Sequence, residues 1–151
     1  MIVVKVDDLI VERQLDDLAE VARCHGLTLE RVSQNCIRIT LEARGGDIYQ
    51  LQVEIDGFPA LPPAFHWRNP GTGELDQRTD APIPYNYFHG SNRICAPWNR
   101  LASTPGGPHA EDWVHSNWKE QPETRGATTL PAMVQIIHHE LRSVRYQGRQ
   151  Q

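Results

Sequence analysis

Cysteine is scarce in this sequence, and long apolar runs are missing. The three cysteines are Cys24, Cys36 and Cys95. An odd number without a C-x-x-C pair excludes a secreted-type disulfide framework and a cysteine-rich zinc site, and it leaves at least one thiol free. No stretch approaches the roughly 18 to 20 consecutive apolar residues of a membrane span. The opening Met1-Ile-Val-Val-Lys-Val-Asp-Asp is too short and too soon acidic for a signal peptide, so the expected location is cytoplasmic, with no membrane partner. Positive charge is short as well. The 15 Lys and Arg stand against 19 Asp and Glu, and the cations nowhere gather into the basic face that nucleic-acid binding needs.

What is present describes a single folded unit. A chain of 151 residues, 39% of them hydrophobic, suffices for one core, expected over residues 1–147 with Gly148 to Gln151 as a disordered tail. From Asp7 to about Cys24, Val11, Leu15, Leu18 and Ala22 recur at helical spacing, with Asp7 or Asp8 placed to cap the helix and Gly26 to stop it. Ile2 to Val6 precede it as a short extended arm. Ile37, Ile39 and Leu41, then Tyr49, Leu51, Val53 and Ile55, alternate with polar residues as half-buried strands do, and Ala43 to Asp47 with its two glycines reads as the reversal of a hairpin. Leu27 to Ser33 is a weaker first strand and Phe65 to Trp67 a fourth. Near the end, Thr128 or Thr129 precedes Pro131, and Leu130, Met133, Val134, Ile137, Leu141 and Val144 keep helical spacing to about Arg145. The fold class is therefore α+β: an N-terminal helix, a four-stranded antiparallel meander, a long irregular segment and a C-terminal helix.

Fifteen of the twenty-two glycines and prolines fall between Gly57 and Pro108. Long loops inside small domains commonly carry function, so chemistry is sought there. The segment opens with Phe58-Pro59-Ala60-Leu61-Pro62-Pro63-Ala64-Phe65, a stiff crossing out of the third strand. It continues into His89-Gly90-Ser91-Asn92-Arg93-Ile94-Cys95-Ala96-Pro97-Trp98, a histidine and an amide just ahead of a cysteine. A stretch bearing Trp113 and Trp118 then leads into the last helix. Cys24 and Cys36, on periodic elements, read as small buried hydrophobes, whereas Cys95 lies off any periodic run. Trp98, Trp113 and Trp118 read as packing residues that pin the loop, with one of them at the rim of an active-site groove.

In the order of these parts the sequence resembles the ubiquitin-conjugating enzyme family, the UBC fold, and in particular its divergent bacterial branch. The resemblance runs from about Asp7 to Arg145. It implies that Cys95 accepts a ubiquitin-like modifier as a thioester from an activating enzyme and passes it to an amine of a protein substrate, in a bacterial pathway linked to antiphage defence. No cofactor is implied, since ATP is used by the activating enzyme. The family's His-Pro-Asn is replaced by His89-Gly90-Ser91-Asn92, with Cys95 only three residues beyond the asparagine. His89 and Asn92 are accordingly the expected loop-ordering or oxyanion-supporting groups. Exchange of one thioester for another needs a thiolate but no strong base, and a base beside the thioester would favour hydrolysis, so a cysteine without a tight histidine partner is expected.

Two other classes compete. One is an inactive UBC variant that only binds a ubiquitin-like protein; the other is a hydrolase pairing Cys95 with His89, His109 or His115. His109-Ala110-Glu111 matches the H-x-E of zinc deaminases but lacks their downstream P-C-x-x-C. His138-His139-Glu140 lacks both zinc-protease orders, and the two histidines are expected on the exposed side of the last helix.

Overall fold

The computed structural model describes residues 5–151. It consists of helix α1 (Val6–His25), strands β1 (Thr28–Ser33), β2 (Cys36–Glu42), β3 (Ile48–Glu54) and β4 (Ala64–Trp67), and helix α2 (Leu130–Arg142). The strands form one antiparallel sheet in the order β1-β2-β3-β4. This is the expected α+β arrangement. The extended arm expected at Ile2 to Val6 lies mostly outside the described residues, and Val6 itself begins α1. No helix among the described residues is long and apolar enough to cross a membrane.

Register explains the core. Ile37 faces Val53, Ile39 faces Leu51 and Leu41 faces Tyr49 across the β2–β3 ladder, and Leu51 and Val53 face Trp67 and Phe65 across β3–β4. All eight are 1% exposed or less. Burial of each such side chain is worth roughly 1.5 to 3 kcal/mol. The intervening Arg38, Thr40, Gln50, Gln52 and His66 are half-buried on the opposite face. Val11, Leu15, Leu18 and Ala22 of α1 and Leu130, Met133, Val134, Ile137 and Leu141 of α2 complete one continuous cluster with the apolar rows. β1 is one of the two edge strands; its Glu30 and Arg31 are exposed charges that discourage further pairing.

Chain reversals follow local chemistry. Glu42 pairs with Ile48, the Asp47 carbonyl accepts the Ala43 N–H (2.7 Å), and Gly45 and Gly46 take the positive φ values of 91° and 103° that the turn demands. Thr129 accepts the Ala132 N–H (3.3 Å) as the N-cap of α2. Asp7 and Asp8 do not cap α1, because the helix starts one residue earlier, with Lys5 at the N-cap. They sit in its first turn, where negative charge favours the helix dipole.

Four expectations are corrected. α2 stops at Arg142 rather than near Arg145, because Ser143 Oγ and Tyr85 Oη both donate to the Glu140 carbonyl and satisfy the helix end; Val144 is 84% exposed. Cys24 is exposed rather than buried, and His138 is half-buried while His139 is exposed. Gly148 to Gln151 is not a loose tail. Arg149 bridges Pro82, the Ile83 N–H donates to Gly148 (2.8 Å), the Gln150 N–H donates to Ala81 (3.0 Å), and Gln150 is 8% exposed. Polar side chains and backbone hold this segment, so apolar periodicity does not reveal it.

Candidate active site

The irregular segment between β4 and α2 extends the core beyond the sheet edge. Phe88 packs edge-on to Trp67 and Trp98 edge-on to Phe65, at centroid distances of 5.7 and 5.3 Å. Trp118 donates from Nε1 to the Pro59 carbonyl (3.2 Å) and lies 6.2 Å from the Phe58 ring, pinning the tryptophan loop to the proline crossing. The Phe58–Pro59 bond in that crossing is cis.

Asn99 joins these parts. Fully buried, it accepts the Phe65 N–H (2.9 Å) and the Leu101 N–H (3.3 Å) on Oδ1 and donates from Nδ2 to the Ile94 carbonyl (2.8 Å). One side chain thus ties β4 to the residue before Cys95. Arg93 adds a second tie, donating from Nη1 to the Leu101 carbonyl (2.8 Å) and reaching Thr104 and Pro105. With Ile94 and Ala96 buried on either side, Cys95 is held half-buried, and its N–H donates to the Tyr87 carbonyl (2.6 Å).

The Cys95 side chain lines a cleft of about 200 Å³ together with Asn86, Tyr87, His109, Trp113, Glu123 and Arg125. His109 is anchored at three points. Its N–H donates to the Ala102 carbonyl (2.8 Å), its Nδ1 lies 3.0 Å from both carboxylate oxygens of Asp112, and its ring stacks on Trp113 at 3.6 Å and 10°. A carboxylate only accepts, so in the neutral imidazole this contact places the proton on Nδ1 and the lone pair on Nε2. Gly107 makes the approach possible: a Cβ there would stand 2.4 Å from the Leu101 oxygen and 2.6 Å from that of Ala102.

Burial, then the negative charge of Asp112, pushes the Cys95 thiol above the usual thiol range. The resting group at neutral pH is therefore a thiol. Cys36 is likewise pushed up, first by burial and then by Glu54, and its 8% exposure closes it to chemistry.

His89 and Asn92 are not among the residues that line the cleft. His89 is exposed, and its Nδ1 accepts the Ser91 N–H (3.1 Å) beside the Ser91 hydroxyl (2.9 Å). Asn92 takes a left-handed φ of 62°; its Nδ2 donates to the Asp76 carbonyl (3.4 Å) and its Oδ1 accepts Gln150 Nε2 (3.0 Å). The hydrogen bonds of both side chains go to Ser91, Asp76 and Gln150, none of which lines the cleft. His115 is also absent from the cleft lining. Trp113 is the tryptophan at the groove, while Trp98 and Trp118 are buried. Asn86, Asn99, Asp112 and Arg125 carry no motif that would have drawn attention. No group of three or more His, Cys, Asp or Glu among the described residues is placed to hold a metal ion.

The fold and cleft define an α+β domain in which a half-buried cysteine and an oriented histidine line one cleft. No family model matches the chain, and no curated protein matches it.

Proposed function

We propose that Cys95 is an acyl-carrying nucleophile: it accepts the C-terminal carboxyl of a ubiquitin-like modifier as a thioester from an activating enzyme and releases it to an amine of a protein target. The observation that carries this reading is the setting of Cys95. Its thiol is half-buried in a small polar cleft, on backbone fixed from β4 by Asn99, at the end of a meander and proline crossing whose order resembles the UBC fold. Thioester exchange is nearly balanced and tolerates a protonated resting thiol, because the thiolate need exist only as the incoming thioester is attacked. The tetrahedral oxyanion that follows needs donors, and the cleft is lined by Arg125 and by Asn86, whose Nδ2 also donates to Glu140 Oε1 (2.7 Å).

A hydrolase is the second reading, favoured by the His109–Asp112 pair in the same cleft. Against it stands the thiol, which burial and Asp112 hold protonated, whereas cysteine hydrolases work from a stabilised thiolate. Two measurements separate the readings. Incubation with a candidate activating enzyme, modifier and ATP is expected to give a thiol-sensitive adduct that is lost in Cys95→Ala and kept in Cys24→Ala and Cys36→Ala. With N-acetylglycine thiophenyl ester in place of the partners, acyl transfer to free lysine is expected to outrun hydrolysis. Hydrolysis that dominates at every lysine concentration would favour the hydrolase, and no adduct on Cys95 from either donor would overturn the conjugation reading.

A further inference from the structure

The thioester reading gives no role to His109, whose ring is held in the cleft by several contacts. His109 is fixed in plane by Trp113, in tautomer by Asp112 and in position by the Ala102 carbonyl. The turn is closed further by the N–H groups of Asp112 and Trp113, which donate to the His109 carbonyl at 3.3 and 3.1 Å. A base at this place assists whichever nucleophile fills the cleft, so a role in transfer requires that an amine, and not water, be the group positioned there.

We propose that His109 is the proton acceptor of the transfer step, receiving on Nε2 the proton of the amine that attacks the Cys95 thioester, with Asp112 and Trp113 as its positioning residues. The inference rests on the thioester reading of Cys95. In the step, the amine nitrogen bonds to the thioester carbonyl carbon and the carbonyl electron pair moves onto oxygen. As the tetrahedral species collapses, the C–S bond breaks and its electron pair leaves with Sγ. The proton shed by nitrogen passes to His109 Nε2 and from there to Sγ, so that an amide and the Cys95 thiol are formed and the imidazole is returned neutral.

The surroundings fit this assignment. At about 200 Å³ the cleft admits the end of an amine side chain or a few waters, each of which occupies about 30 Å³ in the liquid. The charged and titratable groups around His109 are Asp112 at its Nδ1 and, lining the cleft with it, Tyr87 and Cys95 from the preceding loop and Glu123 and Arg125 from the approach to α2. Asp112 favours the imidazolium that forms during transfer. It also discourages the thiolate, so His109 is not consumed as a resting ion-pair partner and stays free for the incoming amine.

The test uses the full chain loaded on Cys95 with N-acetylglycine thiophenyl ester; the adduct is isolated at low pH and then discharged into free lysine across a pH series. Starting from isolated adduct separates discharge from loading. His109→Gln and His109→Ala are expected to discharge about 100-fold more slowly near neutral pH, the range of a single positioned acid or base, and to follow a pH–rate profile set by deprotonation of the lysine amine alone. Added imidazole is expected to restore His109→Ala in part. Asp112→Asn, which keeps the ring and its stack but not the enforced tautomer, is expected to slow discharge at least about 10-fold and carries the test if a His109 variant fails to fold. Wild-type discharge rates with an unchanged pH profile in these variants would overturn the role of His109 and leave the thioester reading standing. Absence of any adduct on wild-type Cys95 would overturn both.

Discussion

At the scale of single residues, Asn99 shows how a polar side chain can decide where a nucleophile sits. Its amide makes three backbone hydrogen bonds at 0% exposure, and two of the groups it serves, the Phe65 N–H and the Ile94 carbonyl, flank the route from β4 to Cys95. Each buried backbone group left without a partner costs about 1 to 3 kcal/mol. Asn99→Ala is therefore expected to lower stability by about 3 kcal/mol, read as a shift in the urea midpoint at constant m. Asn99→Asp is expected to be no milder, because it keeps an acceptor for Phe65 but sets a second oxygen against the Ile94 carbonyl. A loss below about 1 kcal/mol in the alanine variant would mean that the loop rearranges to satisfy these groups. Asn92 contrasts with it. The chain order singles out Asn92 as a functional amide, yet both ends of its side chain are committed to Asp76 and Gln150, away from the cleft.

At the scale of elements, α1, the β2–β3 hairpin and α2 were legible because their apolar residues repeat with the period of the element that buries them. Only the ends moved, and they moved where local hydrogen bonds outvote periodicity, as at Ser143. Cys95 was legible from its place off those periods. His109, Asp112 and Trp113 were not legible as a unit, since nothing in their spacing says that a turn will stack one ring on the other and set both beside a cysteine well before them in the chain. That turn depends on close backbone contact at Gly107. In Gly107→Ala the new methyl meets backbone oxygens of the Arg100–Ala102 turn, which cannot yield as a flexible side chain would. The expected cost is about 1 to 3 kcal/mol, the usual penalty of overpacking. A larger loss in discharge of the Cys95 adduct than in its loading is expected too, because the shift falls on the His109 side of the cleft. Gly90→Ala is the control: its Cβ meets nothing within 4 Å and its φ is not positive, so its thermal midpoint is expected to match that of the parent. Equal effects of the two substitutions would deny Gly107 its positioning role.

At the scale of the whole molecule, the two helices share more than the core. Gln14 of α1 accepts the Leu130 N–H at the start of α2 (2.8 Å), and near the other end of the contact His25 lies edge-on to His138 with centroids 5.8 Å apart. Burial, reinforced by the positive charges that His25, Arg142 and His139 present to it, holds the half-buried His138 below the usual histidine range. In the unfolded chain that restraint is gone, so between the lowered folded value and about 6.5 the unfolded state binds more protons. Stability associated with His138 is then fully present above about pH 6.5 and is lost as the pH falls through the folded value. Glu12, held below the usual carboxylate range chiefly by its hydrogen bond from Arg31, acts in a separate window below its ordinary value. The urea midpoint is thus expected to fall between pH 7 and pH 5, before the carboxylates titrate. His138→Gln is expected to flatten that fall. His25→Gln is expected to reduce it only in part, since burial, the larger cause, remains. Parallel stability curves for all three proteins between pH 7 and pH 5 would show that the helix contact does not sense protonation, whereas a fall abolished by His25→Gln alone would assign it to repulsion between the histidines rather than to burial.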